Sequence, residues 1–135
     1  MRVTGLNHYN LRAHQPLLDE LCRFYVEVVG LSVGDRPPFA VAGYWLYADG
    51  RPVLHLAEAA AEEVAAPKVD GTFAHAAFDC VDVASAEALL TLRGIRYRKT
   101  AVPTSGAPQI FLTDPAGNGV ELLFPAHEAP SSTPK

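Results

Sequence analysis

The sequence carries one pattern twice. His8 stands in GLNHYNL and His75, 67 positions later, in GTFAHAAF; His55 stands in PVLHLAE and Glu121, 66 positions later, in GVELLF. Leu46 and Leu112, and Leu56 and Leu122, match at the same spacing of 66, while Gly30-Leu31 and Gly94-Ile95 match at 64. A duplicated segment folds the same way twice. The chain is therefore expected to build two copies of one small unit, with side chains at equivalent places related by a pseudo-twofold axis.

The order of elements within each copy follows from periodicity. Residues 5–12 alternate and predict a strand. Leu17, Leu18, Leu21, Phe24, Tyr25 and Val28 recur at three- and four-residue spacing, which makes one apolar face of a helix over 16–29. Pro16 suits its first turn and Gly30 its stop. A short strand at 31–35, a proline loop at 36–39, an aromatic strand at 43–48, a tight turn at Asp49-Gly50 and a strand at 53–57 complete a first module over 1–57. Residues 58–70 are rich in Ala and Glu and are broken by Pro67, which predicts a linker. The order then repeats over 71–124: a strand at 72–80, a helix ending at Arg93, and strands at 95–102, 109–113 and 120–124, with a dense turn signal in Asp114-Pro115-Ala116-Gly117-Asn118-Gly119. The Pro/Ser-rich stretch 125–135 is expected to be a flexible tail. The fold class is α+β: two tandem βαβββ modules forming a cupped, partly open, barrel-like sheet with helices outside.

Composition removes several classes of function. A net charge of −4 over 135 residues argues against a nucleic-acid partner. No stretch approaches the roughly 20 apolar residues needed to span a bilayer, no basic amphipathic stretch suggests a membrane surface, and the N-terminal residues are too polar for a signal-peptide core. A cytoplasmic protein acting on a small molecule is the expectation. Cys22 and Cys80 lack metal-ligand spacing and read as small core residues.

The four matched side chains are the candidate metal ligands: His8, His55, His75 and Glu121. If the first and last strands of each module pair, His8 comes near His55 and His75 near Glu121. Glu121 shares its strand face with Leu123, and a carboxylate among apolar neighbours is costly unless it is paired or metal-bound. Imidazole and carboxylate suit Zn, Ni, Mn or Fe(II) alike. A lone strand histidine is commonly a hydrogen-bonded core residue; the matched positions favour ligands here. His14 and His127 read as solvated. Phe39, Trp45 and Tyr47 are candidate pocket residues, with core or interface packing as the alternative. Arg36 and Arg51 flank this region and could meet an anionic substrate or simply be solvated. Arg96 and Arg98 read as edge-strand charges.

The motifs LNHYNL, FYVEVVGLSVG and LTDPAGNGVELL together resemble the vicinal oxygen chelate superfamily over residues 5–124. Its members include glyoxalase I, methylmalonyl-CoA epimerase, fosfomycin- and bleomycin-resistance proteins and type I extradiol dioxygenases. The resemblance implies paired βαβββ modules, a divalent metal, and a homodimer. His8, His75 and Glu121 fall on family ligand positions, and His55 falls where glyoxalase I usually has a glutamate. It also implies catalytic roles, with Glu121 as general base and His55 as second candidate, since imidazole titrates near neutrality. Three activities follow from it as expectations: a glyoxalase-type lyase or isomerase, an Fe(II) extradiol-type dioxygenase, or a drug-sequestering binding protein without catalysis.

Overall fold

A computed structural model describes residues 1–63 and 71–131. The chain divides into two compact units, Met1–Val69 and Asp70–Lys135. Part of the expected linker, 64–70, and the last four residues of the expected tail lie outside the described residues.

The first unit holds β1 (Tyr9–Ala13), α1 (Leu17–Phe24), β2 (Ser32–Gly34), β3 (Gly43–Ala48) and β4 (Arg51–Glu58). Its sheet has the order β1-β4-β3-β2, with β1 parallel to β4 and the other pairs antiparallel. The second unit holds β5 (His75–Asp79), α2 (Val83–Leu92), β6 (Arg98–Ala101), β7 (Pro108–Thr113) and β8 (Gly119–Leu123), in the order β5-β8-β7-β6 with the same directions. The repeat seen in the sequence is thus a repeat of topology: two open, mixed four-stranded sheets, each with one α-helix, in an α+β chain.

Alternation along the strands divides each sheet into two faces. In the first unit Leu46, Leu54 and Leu56 are buried with Leu18, Leu21 and Tyr25 of the helical segment. In the second, Ile110, Leu112, Val120 and Leu122 are buried with Leu90 of α2. The intervening strand positions are left to form the other face, and every candidate ligand on a strand belongs to that set.

Local details depart from expectation for visible reasons. The helix over 16–29 is α-helical to Phe24 and then widens to a π-helical turn, Tyr25–Val29, before Gly30 closes it with φ 91°. Residues 5–8 precede β1, so His8 stands just outside the strand and not midway along it. The β3–β4 turn has φ 48° at Asp49 and 77° at Gly50, the pair of positive values that a two-residue hairpin requires. The tail begins with a 3₁₀ turn, Ala126–Glu128. The Glu128 carboxylate accepts from the backbone N–H groups of Asp82 (2.9 Å) and Val83 (2.7 Å) at the start of α2. Within the expected linker, Glu63 pairs with Arg12, and its carbonyl accepts from His14 Nε2 at 2.7 Å.

Candidate functional site

In the second unit, β5 and β8 run side by side with His75 opposite Gly119 and Ala77 opposite Glu121. His75 and Glu121 are thus offset by two residues, on one face, and His75 Nε2 lies 2.9 Å from Glu121 Oε2. The other carboxylate oxygen, Oε1, accepts from Gln109 Nε2 at 2.7 Å, and Gln109 Oε1 accepts in turn from the Thr100 hydroxyl at 3.1 Å. Glu121 is 6% exposed. A carboxylate so buried is tolerable because both its oxygens are engaged.

Two features of the DPAGNG segment place this acid. The Asp114 carboxylate, itself buried, accepts from the backbone N–H of Ala116 and Asn118 (both 2.9 Å) and from the Asn118 side chain (3.1 Å), which fixes the turn into β8. A Cβ on Gly119 would stand 2.2 Å from the Ala74 carbonyl oxygen and 3.0 Å from His75 Cβ. Only glycine lets β5 approach closely enough to set His75 beside Glu121.

In the first unit the equivalent strands carry a different chemistry. Asn10 is opposite His55 on β4, and Trp45 is opposite it on β3. The His55 ring is stacked on His8 (centroids 3.7 Å, 16° between planes) and on Trp45 (4.0 Å, 9°). His8 Nδ1 donates to Asn7 Oδ1 at 2.7 Å. His55 is 8% exposed, and its buried Nε2 has no hydrogen-bond partner. Burial first, then the neighbouring His8, hold the His55 imidazole below its ordinary pKa, so the neutral form is favoured.

His55 and Trp45 line a cleft of about 200 Å³ together with Asn10, Arg36, Phe39 and Val41. Phe39 and Trp45, expected as pocket residues, are in it, with ring centroids 6.2 Å apart. Tyr47 is not among its lining residues: its hydroxyl donates to the Asp35 carbonyl at 2.6 Å.

The structure therefore brings the four candidate ligands together in two pairs, one per unit. Among the described residues, no group of three or more His, Cys, Asp or Glu side chains gathers at one point. The donors still suit a divalent ion. Imidazole and carboxylate are the types such ions accept, His75 Nε2 and Glu121 Oε2 lie 2.9 Å apart, and His55 Nε2 is an orphaned nitrogen. Gln109 and Thr100 escaped the sequence reading; the available signal was that Gln109 lies two positions before Phe111, which is opposite Glu121. Both cysteines behave as structural thiols: burial raises Cys22 and pushes Cys80 up to about 11, which leaves little thiolate near neutrality. No helix among the described residues is long and apolar enough to cross a membrane.

Solved structures share this architecture. A glyoxylase/bleomycin resistance protein/dioxygenase domain from Frankia sp. EAN1pec superposes with a TM-score of 0.71 at 16% identity, covering 92% of this chain and 99% of that one. A lactoylglutathione lyase from Agrobacterium tumefaciens gives 0.62 at 22% identity, with 95% and 98% covered. TnmS3, an antibiotic-binding protein from Streptomyces sp. CB03234, gives 0.64 at 20%, with 93% and 98% covered. Among curated proteins no sequence matches. The sequence model of one family matches residues 5–122, nearly the whole of both modules, and with the repeated sheet topology this settles the ancestry: the chain belongs to the Glyoxalase/Bleomycin resistance protein/Dioxygenase superfamily.

Proposed function

We propose that this protein is a divalent-metal-dependent enzyme of the glyoxalase type, a lyase or isomerase acting on a small substrate that chelates the metal through two oxygens. The observation that carries the reading is the buried Glu121, held between the Gln109 amide and His75. His8, His55, His75 and Glu121 are the proposed ligands, contributed by one chain or by two copies in a homodimer. When bound, the metal supplies stabilisation for negative charge developing on the substrate oxygens. Glu121 is the proposed general base, moving a proton between adjacent carbons. The Gln109 amide keeps one carboxylate oxygen oriented while the other exchanges partners. His55 is the second candidate base, since it is held neutral and its Nε2 is unengaged.

Two other readings have specific support. Two imidazoles and one carboxylate would make the facial set of a non-haem Fe(II) site, which favours an extradiol-type dioxygenase acting on catechols. The aromatic cleft, and the likeness in fold to an antibiotic-binding protein, favour a binder without catalysis. Anaerobic purification with metal analysis, followed by screening with hemithioacetals and catechols, separates the three. Bound metal with turnover of hemithioacetals supports the proposal. Oxygen uptake with catechols moves the assignment to the dioxygenase. A protein that takes up no Ni, Zn, Mn or Fe(II), and gains no stability from them, is a binder. His75→Ala should lower metal affinity by roughly tenfold or more, whereas His14→Ala, which loses only its bond to the Glu63 carbonyl, should leave it unchanged. Equal metal content in the two variants contradicts the ligand set.

A further inference from the structure

The cleft of the first unit contains a cation with no anion. Arg36 lines it beside Phe39, Trp45 and His55. Its guanidinium carbon sits 5.0 Å over the Phe39 ring, and one terminal nitrogen donates to the Val41 carbonyl at 2.9 Å. That carbonyl is its hydrogen-bond acceptor among the described residues, where no carboxylate pairs with it; its Nε is buried and without a partner. A guanidinium has five donors in a planar fork, and a single carbonyl answers only part of it. In a chain of net charge −4, surplus carboxylates are plentiful, yet no Asp or Glu is among the described residues that line this cleft.

The comparison with the second unit shows how the arginine comes to be there. Position 43 on β3 corresponds to position 109 on β7, 66 residues later, where Gln109 reaches the acid on the next strand. In the first unit that position is Gly43. A Cβ there would stand 2.1 Å from the Leu56 carbonyl oxygen and 3.0 Å from a terminal nitrogen of Arg36. A side chain at position 43 would therefore crowd both the β4 backbone and the Arg36 guanidinium. A neutral amide beside a carboxylate in one copy is replaced, in the other, by a cation that lines a cleft with an imidazole.

We propose that this cleft binds the carboxylate end of a planar, aromatic or conjugated acid, with Arg36 pairing the carboxylate and Phe39 and Trp45 packing on the flat hydrocarbon. The fork geometry selects a carboxylate, which a guanidinium meets through two parallel bonds. Arg36 covers one face of Phe39 and His55 one face of Trp45, so a third ring meets this pair, 6.2 Å apart and tilted by 41°, on their remaining faces or edges. The volume of about 200 Å³ is below the roughly 300–1,000 Å³ of sites that enclose a whole drug-sized ligand, so one ring and its acid fill it. The assignment deepens the function proposed above by naming a substrate class, and rests on that reading only for the claim that the bound acid is turned over.

Trp45 is the single tryptophan of the chain, so its fluorescence reports this cleft. Metal-stripped protein should show saturable quenching by benzoate and bind benzamide, the neutral analogue, at least tenfold more weakly. Arg36→Gln should abolish that preference while leaving benzamide binding unchanged. Arg36→Lys, which keeps the charge without the fork, should retain part of it and covers the case in which Arg36→Gln fails to fold. Arg51→Gln should behave as wild type. Equal affinity for benzoate and benzamide, an undiminished preference in Arg36→Gln, or no saturable binding of either would overturn the proposal. The two readings fail separately. Benzoate selectivity in a protein that takes up no metal defeats the enzyme alone; metal uptake without selectivity defeats the acid site alone.

Discussion

The two units share one strand order and the same spacing between matched residues, yet they close their last hairpins by different means. From Leu46 to Leu54, and from Leu112 to Val120, the chain covers the same number of positions between cross-strand partners. In the first unit the strands zip to the tip through Asp49-Gly50. Tyr47 then pairs with Pro52, leaving Val53 as the extra residue of β4. In the second, pairing stops at Thr113 and Gly119, and the Asp114 side chain holds the remaining loop. Position 53 corresponds to position 119, so the bulged Val53 replaces the glycine that admits His75. The ladder between β1 and β4 accordingly begins at Tyr9, and His8 reaches its partner by stacking instead of pairing. Duplication preserved the backbone plan, while turn chemistry and one glycine decide how each half presents its candidate ligands.

The sharpest way to break this comparison is at the two close approaches. Gly43→Ala and Gly119→Ala should each cost about 3 kcal/mol, measured by chemical denaturation, because the added methyl meets a backbone carbonyl that cannot step aside. The Gly119 variant should also separate His75 from Glu121, and the Gly43 variant should displace Arg36. Full stability in either would mean that the strands there are further apart than described.

A smaller effect is expected at the turns. Asp114→Ala removes the acceptor of three hydrogen bonds and should cost roughly 1–2 kcal/mol. Asp49→Asn should stay within about 0.5 kcal/mol, since asparagine tolerates the positive φ and the hairpin depends on backbone geometry. Similar losses at both positions would erase the distinction between a side-chain-held turn and a backbone-held one.

The smallest effect is electrostatic. His55 in metal-free protein should titrate below the ordinary histidine value of about 6.5. A lowered folded-state value means that the unfolded chain takes up the proton first. The contribution to stability is whole above the unfolded value and is lost as pH falls from there through the folded one. His8→Gln should raise the His55 midpoint part of the way, because burial is the larger cause and His8 the next. An NMR titration in which His8→Gln leaves His55 unmoved would assign the whole shift to burial.

Much of this was legible from residues alone. The apolar spacing of Leu17 to Val28 and the alternation around His55 and Glu121 fixed element order, because burial of one face dominates local propensity. The matched offsets picked out four side chains that the structure sets together as His8 with His55 and His75 with Glu121. What stayed hidden depends on distances between segments. The approach of Gln109 to Glu121 requires the β7–β8 register. The seat of Arg36 requires the path of a proline loop over Gly43. The retreat of His8 from the strand, and the widening of the helix after Phe24, are shifts of one or two residues that periodicity does not resolve.

The hold of Glu128 on residues 82 and 83 has a consequence in time. Asp82 answers the Ser85 amide with its own carboxylate, but its own N–H and that of Val83 find their acceptor only in a residue 46 positions downstream of Asp82. During synthesis, the front of α2 therefore stays incompletely satisfied until β8 has been made and the chain has turned beyond it, so Glu128 is a late addition that finishes this module.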